Sequence, residues 1–429
     1  MKIAVVGLGK LGLPLAVQFA LNGSYVLGVD ISQSTVDSVN HGTLPFLGEE
    51  GLAERLSDVV MGGKLSASQD SSSAVNQCDV VVVVVPLVID SSSEPDFRSL
   101  DSVTASIGKA LKPGTLISYE TTLPVGTTRN RLAPILEAES GLKAGEDFFV
   151  VFSPERVLTG RVFSDLRKYP KLVGGIDPVS ESKGVEFYEE VLSFDFRHDL
   201  PSANGVWPMG SAEAAELAKL AETTYRDVNI GLANQFAIHA EQIGVDVYRV
   251  IEACNSQHFS HIHQPGVAVG GHCIPVYPHL YLSGDPQASI VSTSRDANKA
   301  MPKHLVDRVE SALGSLEGRR VVILGLAYRG GVKESAFSGA WDLCSLIKAK
   351  GGFPVVHDPL YSEAELSALG LTPYQIGEPC DAAILQTNHQ EYKTLQIEDF
   401  PGLRFLADGR NFAPEELKRK VETYVLGKG

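Results

Sequence analysis

The chain opens on an apolar run, Ile3–Val6, that gives way to a glycine-rich turn and then to a stretch of helical length. The alternation returns: Tyr25–Val29, Val80–Val85, Thr115–Tyr119 and Phe148–Phe152 are short β-branched or aromatic runs with segments long enough for helices between them. Apolar runs without polar alternation fit strands covered on both faces, and strands alternating with helices predict a doubly wound parallel sheet. The run Val80–Ile89 is interrupted by Pro86 and is about half the length a bilayer-crossing helix needs, so it reads as buried strand. The serine clusters Ser71–Ser73 and Ser91–Ser93 lie just outside strand ends and are expected to be loops.

From about Ser211 to Gly244 the pattern changes. Proline is absent, alanine is frequent, and apolar residues recur at Leu217, Ala221, Val228, Leu232, Phe236 and Ile243. This spacing predicts a single amphipathic helix of about 50 Å at 1.5 Å per residue. A helix of that length bridges two domains or forms a dimer seam, and its periodicity suits both. Near Arg319 a second α/β unit begins, with a strand at Arg320–Leu324, a turn from Gly325 to Gly331, a helix at Ser338–Lys350 and a strand at Pro354–His357 that ends on Asp358. The expected fold is therefore α/β, with two Rossmann-like doubly wound parallel-sheet domains joined by a long central helix. The expected boundaries are 1–200, 201–305 and 306–429.

Composition narrows the classes of partner. At 44% apolar and 21% charged, the 429 residues are close to an average globular chain, which excludes disordered, collagen-like and coiled-coil classes. The 37 Lys and Arg against 52 Asp and Glu give a net charge of −15, which repels nucleic acid and anionic lipid. Neither is an expected partner, and an anionic substrate must be held by a local site. Five cysteines (Cys78, Cys254, Cys273, Cys344 and Cys380), with no C-x-x-C pair, make neither a disulfide framework nor a structural zinc site. Met1–Gly7 runs directly into a strand and turn, leaving no room for a signal peptide, so a reducing cytoplasm is the expected compartment.

Gly7-Leu-Gly-Lys-Leu-Gly12 follows a strand and opens a helix, and Asp30 ends the next strand 18 residues after Gly12. Gly7 permits the tight turn, Gly9 lets a pyrophosphate approach the backbone, and Gly12 lets helix pack on strand. Free N–H groups at the helix start then face the pyrophosphate. Pro14 is tolerated in the first turn, where N–H groups have no intrahelical partner. Asp30 accepts hydrogen bonds from the adenosine ribose and repels a 2′-phosphate, which favours NAD over NADP. Lys10, Leu11 and Pro86 are assigned to the same cofactor site. The turn of the second unit lacks the third glycine and carries Tyr328 and Arg329; the arginine suits bidentate phosphate recognition, ahead of the alternative of a surface arginine on a loop.

Gly266-Val-Ala-Val-Gly-Gly-His-Cys-Ile-Pro-Val-Tyr277 is the second informative segment. Cys78, Cys254, Cys344 and Cys380 are expected to be inert core thiols. Cys273 sits instead in a polar, glycine-rich loop, where a thiolate can attack an aldehyde to give a thiohemiacetal that donates hydride.

Five ordered motifs, Gly7–Gly12, Glu120-Thr-Thr-Leu-Pro-Val-Gly126, Ser153-Pro-Glu-Arg156, Glu216-Leu-Ala-Lys219 continuing to Asn234, and Gly270-Gly-His-Cys-Ile-Pro275, span nearly the whole chain. On them the sequence resembles the nucleotide-sugar 6-dehydrogenase family, which includes the UDP-glucose, GDP-mannose and UDP-N-acetylhexosamine dehydrogenases. Ser-Pro-Glu-Arg and Gly-Gly-His-Cys look closest to the UDP-N-acetylmannosamine and UDP-N-acetylglucosamine branch. The resemblance implies four-electron oxidation of a sugar C6 alcohol to a carboxylate with two NAD⁺. It implies Cys273 as nucleophile, Lys219 as stabiliser of oxyanion character, Glu155 as acid–base group and Thr122 as a residue that positions water and meets the cofactor. It also implies substrate contacts from Glu155, Arg156, Lys219, Gly270, His272, Tyr328 and Arg329, and a homodimer. A lysine beside the thiol would lower its pKa and stabilise an alkoxide.

Three positions depart from the family. Thr223 replaces the usual asparagine four residues after the lysine, keeping a donor of shorter reach on the same helix face. Tyr277 replaces the usual aspartate four residues after the cysteine, and a phenol of pKa about 10 is a poor base near neutrality. Lys333-Glu-Ser-Ala-Phe-Ser338 replaces a run that carries an arginine. His258, His261, His263 and His272 crowd the cysteine loop without the carboxylates or thiols of a metal site, so no metal is expected. His272 is placed to tune the thiol or touch substrate, Asn255 and Gln264 to reach sugar hydroxyls. Arg161, Lys168 and Lys171 fit a pyrophosphate contact and a solvated loop equally well. Other readings are the same oxidation of TDP-glucose or GDP-mannose, a two-electron dehydrogenase stopping at the aldehyde, and a non-catalytic nucleotide-sugar-binding protein.

Overall fold

Ten short strands organise the first part of the chain: β1 (Lys2–Val6), β2 (Tyr25–Val29), β3 (Leu65–Ser68), β4 (Val80–Val83), β5 (Val88–Ile89), β6 (Pro95–Asp96), β7 (Leu116–Tyr119), β8 (Phe149–Phe152), β9 (Lys171–Gly175) and β10 (Val206–Pro208). The computed structural model describes residues 1–46 and 48–429. Apart from β5 and β6, which form a small antiparallel pair, these strands make one sheet in the order β10-β9-β8-β7-β4-β1-β2-β3. Every pairing in it is parallel except β8 with β9. β1 lies between β2 and β4, where the winding reverses, because its apolar side chains tolerate helices on both faces.

The turn after β1 follows from contacts a side chain would forbid. Gly7 has φ +96°, and a Cβ on Gly12 would lie 1.8 Å from the Gly7 carbonyl oxygen. Gly9 differs: a Cβ there meets no protein atom within 4 Å. The helix Gly12–Leu21 starts at once, with Leu11 at the cap position and no side-chain cap.

Two local expectations are corrected. Ser71–Ser73 is not a loop but the first turn of a helix, Ser71–Gln77, because the Asp70 carboxylate accepts the Ser73 N–H at 2.9 Å and supplies an N-cap. The Val80–Ile89 run is not one strand: β4 ends at Val83, Pro86 separates it from β5, and β5 pairs with β6.

The second part carries β11 (Arg320–Leu324), β12 (Phe353–His357), β13 (Ala382–Leu385), β14 (Phe405–Asp408) and β15 (Glu422–Val425). They form an all-parallel sheet in the order β12-β11-β13-β14-β15, the other common doubly wound arrangement. The Asp358 carboxylate, just past β12, accepts the N–H groups of Leu326 and Ala327 at 2.8 Å each. Asp30 does the same past β2, accepting from Leu8 and Ser32 at 2.9 Å. In both halves a strand-end aspartate fastens the neighbouring turn.

The 32-residue helix Ala212–Ile243 forms as its composition predicts, but its expected apolar stripe is not its buried face. Leu217, Leu232, Phe236 and Ile243 are between 38% and 58% exposed, whereas Ala215, Glu216, Lys219, Thr223, Asp227, Asn234 and Ala237 are buried. The buried face is small and polar because it makes hydrogen bonds at close approach. Glu216, for instance, accepts from Gly126 N–H, Thr128 N–H and the Thr128 hydroxyl at 2.5–2.9 Å. The described chain divides into two units, Met1–Glu222 with His279–Gly284 and Thr223–Pro278 with Asp285–Gly429, and the division falls inside this helix.

Two substitutions separate steric need from ligand need in the glycine turn. Gly12→Ala is expected to lower the thermal midpoint by several degrees and abolish NAD binding, since its Cβ meets a carbonyl oxygen. Gly9→Ala is expected to keep the midpoint within about 2 °C yet weaken NAD binding by roughly tenfold or more. Calorimetric melting and NAD titration of both variants check this.

Candidate active site

In the first unit the carboxyl ends of four neighbouring strands, β8, β7, β4 and β1, bring several expected residues to one sheet edge. The Gly7–Gly12 turn follows β1, exposed Pro86 follows β4, buried Thr122 follows β7 and buried Glu155 follows β8. The Thr121 hydroxyl donates to the Val85 carbonyl at 2.6 Å and ties two of these ends together. Lys10 and Gly9 are exposed on the turn, and the adjoining helix start has no side-chain cap. A helix start without a side-chain cap, an unobstructed Gly9 and a carboxylate at the end of β2 fit a dinucleotide pyrophosphate and ribose.

Glu155 is anchored twice. Its backbone carbonyl accepts from the Lys219 ammonium at 2.6 Å, and its carboxylate pairs with the buried Lys171 ammonium. Lys171 also lies 2.8 Å from the Glu120 carboxylate. Glu120 in turn accepts from the Tyr188 hydroxyl at 2.6 Å, and Tyr188 and Ser118 share a hydrogen bond at 2.7 Å. Burial and then the neighbouring Glu155 push Glu120 up to about 8, although Lys171 opposes the shift. Burial alone would lower Lys171, but the two carboxylates outweigh it and hold the ammonium above its ordinary range. Burial likewise pushes Glu216 up to about 7 against its three hydrogen bonds.

Lys171 is therefore corrected: it is neither a solvated loop residue nor a pyrophosphate contact, because it begins β9 and its charge is held by two buried carboxylates. Arg161 pairs with Asp165 at 2.9 Å, Lys168 is exposed, and Arg156 pairs with Glu222 at 2.8 Å. Sequence reasoning missed Glu120 and Lys171 as a pair. The available signal was a charged residue abutting an apolar strand at each place, Tyr119-Glu120 and Lys171-Leu172.

In the second unit, Asn234 accepts the Gly266 N–H at 2.9 Å and bonds to Asn298, which bonds to Asp227, itself paired with Arg295 at 2.8 Å. This buried chain holds the start of the cysteine loop. A Cβ on Gly270 would lie 2.5 Å from the Tyr328 Cβ, so this glycine makes room for the turn after β11. Gly271 N–H donates to the Ala336 carbonyl at 2.8 Å, His272 lies 3.2 Å from the Glu334 carboxylate, and Arg329 donates to the Tyr328 hydroxyl at 3.1 Å. The structure thus brings Gly270, Tyr328 and Arg329 together, with His272 beside Glu334. Thr223 is buried on the long helix.

Cys273 is exposed, and its carbonyl accepts the Val276 and Tyr277 N–H groups at 3.2 and 2.9 Å. Cys78, Cys344 and Cys380 are buried, and burial pushes each thiol up to about 11. Cys254 departs from the expected core thiol: it is half-buried on the helix Val247–Asn255. Asn255 is also corrected, since its amide bonds both ways with Ile262 at 2.8–2.9 Å and pins the loop. Gln264 is exposed. Among the described residues, no group of three or more His, Cys, Asp or Glu is arranged to hold a metal ion, and no helix is long and apolar enough to cross a membrane.

Comparison with known proteins agrees across the chain. Residues 1–192 match the NAD binding domain of the UDP-glucose/GDP-mannose dehydrogenase family, 213–300 its central domain and 322–415 its UDP binding domain. A UDP-N-acetyl-D-mannosamine dehydrogenase from Pyrococcus horikoshii is 32% identical over 423 residues, covering 97% of this chain and 96% of the relative. One from Escherichia coli K12 is also 32% identical, over 92% of this chain and 94% of its own. The solved structure of UDP-D-ManNAc dehydrogenase from Pyrococcus horikoshii superposes with a TM-score of 0.89 at 30% identity, covering both chains completely. The chain belongs to the UDP-glucose/GDP-mannose dehydrogenase family and is an NAD-dependent nucleotide-sugar dehydrogenase.

Proposed function

We propose that the protein oxidises the C6 hydroxymethyl of a UDP-N-acetylhexosamine, UDP-N-acetylmannosamine first, to the uronic acid through a thioester on Cys273. The observation that carries this reading is the exposed Cys273 thiol in a loop whose preceding glycines are clamped to the turn after β11. The names of the relatives support the choice of sugar. NAD, held by Gly7, Gly9, Lys10, Leu11, Gly12, Asp30, Pro86 and Thr122, supplies the hydride acceptor. Lys219 stabilises negative charge on the C6 oxygen, and Glu155 exchanges protons there. Cys273 adds to the aldehyde, and Thr122 orients the water that releases the acid. Thr223 offers a hydroxyl from the long helix, while Arg156, Gly270, His272, Tyr328 and Arg329 belong to the substrate site.

Three working parts accompany this reading: a cofactor domain over 1–200, a helical region carrying the cysteine loop over 201–305, and a nucleotide-sugar domain over 306–429. The exposed face of the long helix supports a homodimer, since Leu217, Tyr225, Leu232, Phe236 and Ile243 repeat at helical spacing and stay 38–58% exposed. Isologous contact of two such helices would cover it. A free catalytic thiol suits the reducing cytoplasm.

Two experiments test the proposal. With UDP-N-acetylmannosamine and NAD⁺, two NADH form per sugar, and Cys273→Ser lowers kcat by roughly 10³-fold or more. One NADH with free aldehyde would favour the two-electron reading, which Tyr277 at the usual aspartate position supports. Leu232→Glu with Phe236→Glu is expected to convert a dimer into a monomer in sedimentation velocity.

A further inference from the structure

Glu155 belongs to a buried cluster whose other members, Glu120 and Lys171, have no part in the proposed reaction so far. Glu120, Glu155 and Lys171 meet with side chains at most 5% exposed. Two carboxylates around one ammonium leave one uncompensated negative charge in a region poor in water. Both carboxylates bond the same ammonium, which holds Glu120 and Glu155 close together, and two buried carboxylates around a single cation favour a proton on the pair. The groups facing them are Lys171 from β9, Tyr188 from the helix Pro178–Val191, Ser118 from β7, the Ser153 carbonyl, and Lys219 from the long helix on the Glu155 carbonyl.

We propose that Glu120 and Glu155 hold one proton between them across the Lys171 ammonium, which makes Glu120 and Lys171 positioning residues for Glu155. The inference rests on the reading of Glu155 as the proton-exchanging group. Oxidation of an alcohol releases the hydroxyl proton as hydride leaves carbon. The pair accepts that proton once it has given up the shared one, and Tyr188 stabilises the ionised form of Glu120 from its other oxygen.

Infrared titration tests the shared proton without turnover. A protonated-carboxyl band is expected to titrate near pH 8 in the unaltered protein. Glu216 and Asp227 are raised to about 7 and about 6, so the band is assigned by its loss in Glu120→Gln. In the pH profile of kcat/KM, Glu120→Gln lowers the pair's apparent pKa by about one unit or more with sugar-nucleotide KM changed less than about threefold, and Glu120→Asp restores it. Tyr188→Phe raises the same midpoint by removing a donor to the charged form, which serves if Glu120→Gln does not fold. A band that survives Glu120→Gln, or a midpoint unmoved in Tyr188→Phe, overturns the proposal. If no UDP-sugar is oxidised, the functional reading falls while the infrared result still decides the shared proton.

Discussion

Backbone N–H groups left open where strands end must find acceptors, and in this protein buried or half-buried acidic and amide side chains provide them. Asp30 holds the glycine turn after β1, Asp358 holds the turn after β11, Glu216 holds the 126–128 segment, and Asn234 holds the start of the cysteine loop. An unpaired buried N–H costs about 1–3 kcal/mol, so each fastening gives its loop a single placement. Irregular segments that would otherwise sample many conformations then present the chemistry-bearing residues on rigid supports.

The same economy of polar atoms shapes the long helix. Its packed face carries Glu216, Lys219, Asp227 and Asn234, each of which does what leucine cannot: bond to a backbone atom or to another buried polar group. The apolar residues are displaced to the opposite side. An amphipathic pattern is thus inverted relative to the chain's own interior.

Legibility in the sequence followed the range of the interactions involved. The glycine turn was readable because its constraint is local, a Cβ colliding with a carbonyl five residues earlier. The strands were readable from unbroken β-branched runs, and the long helix from a stretch without proline. Ser71–Ser73 misled because one preceding aspartate outweighs the loop tendency of three serines. Lys171 misled because its partner Glu120 is 51 residues away, and a charge abutting an apolar strand hints at burial without naming the partner. Cys273 stood out by its glycine-rich setting; the partial burial of Cys254 had no such marker. Glu155 was legible as a residue, but not its double anchorage by Lys219 and Lys171.

The two strand-end aspartates have unequal effects on what each turn has left to offer. Asp30 occupies the N–H of Leu8 in the first turn, whereas Asp358 occupies those of both Leu326 and Ala327 in the second. Main-chain donors in the turn after β11 are largely committed to internal bracing, since the N–H groups of Gly325, Tyr328, Gly330 and Gly331 also find acceptors within the fold, so its side chains are what that turn has left to offer. A half built this way changes its exposed chemistry by point substitution with its scaffold unmoved, whereas the glycine turn of the first half, where added Cβ atoms at Gly7 and Gly12 would meet backbone oxygens, tolerates few such changes.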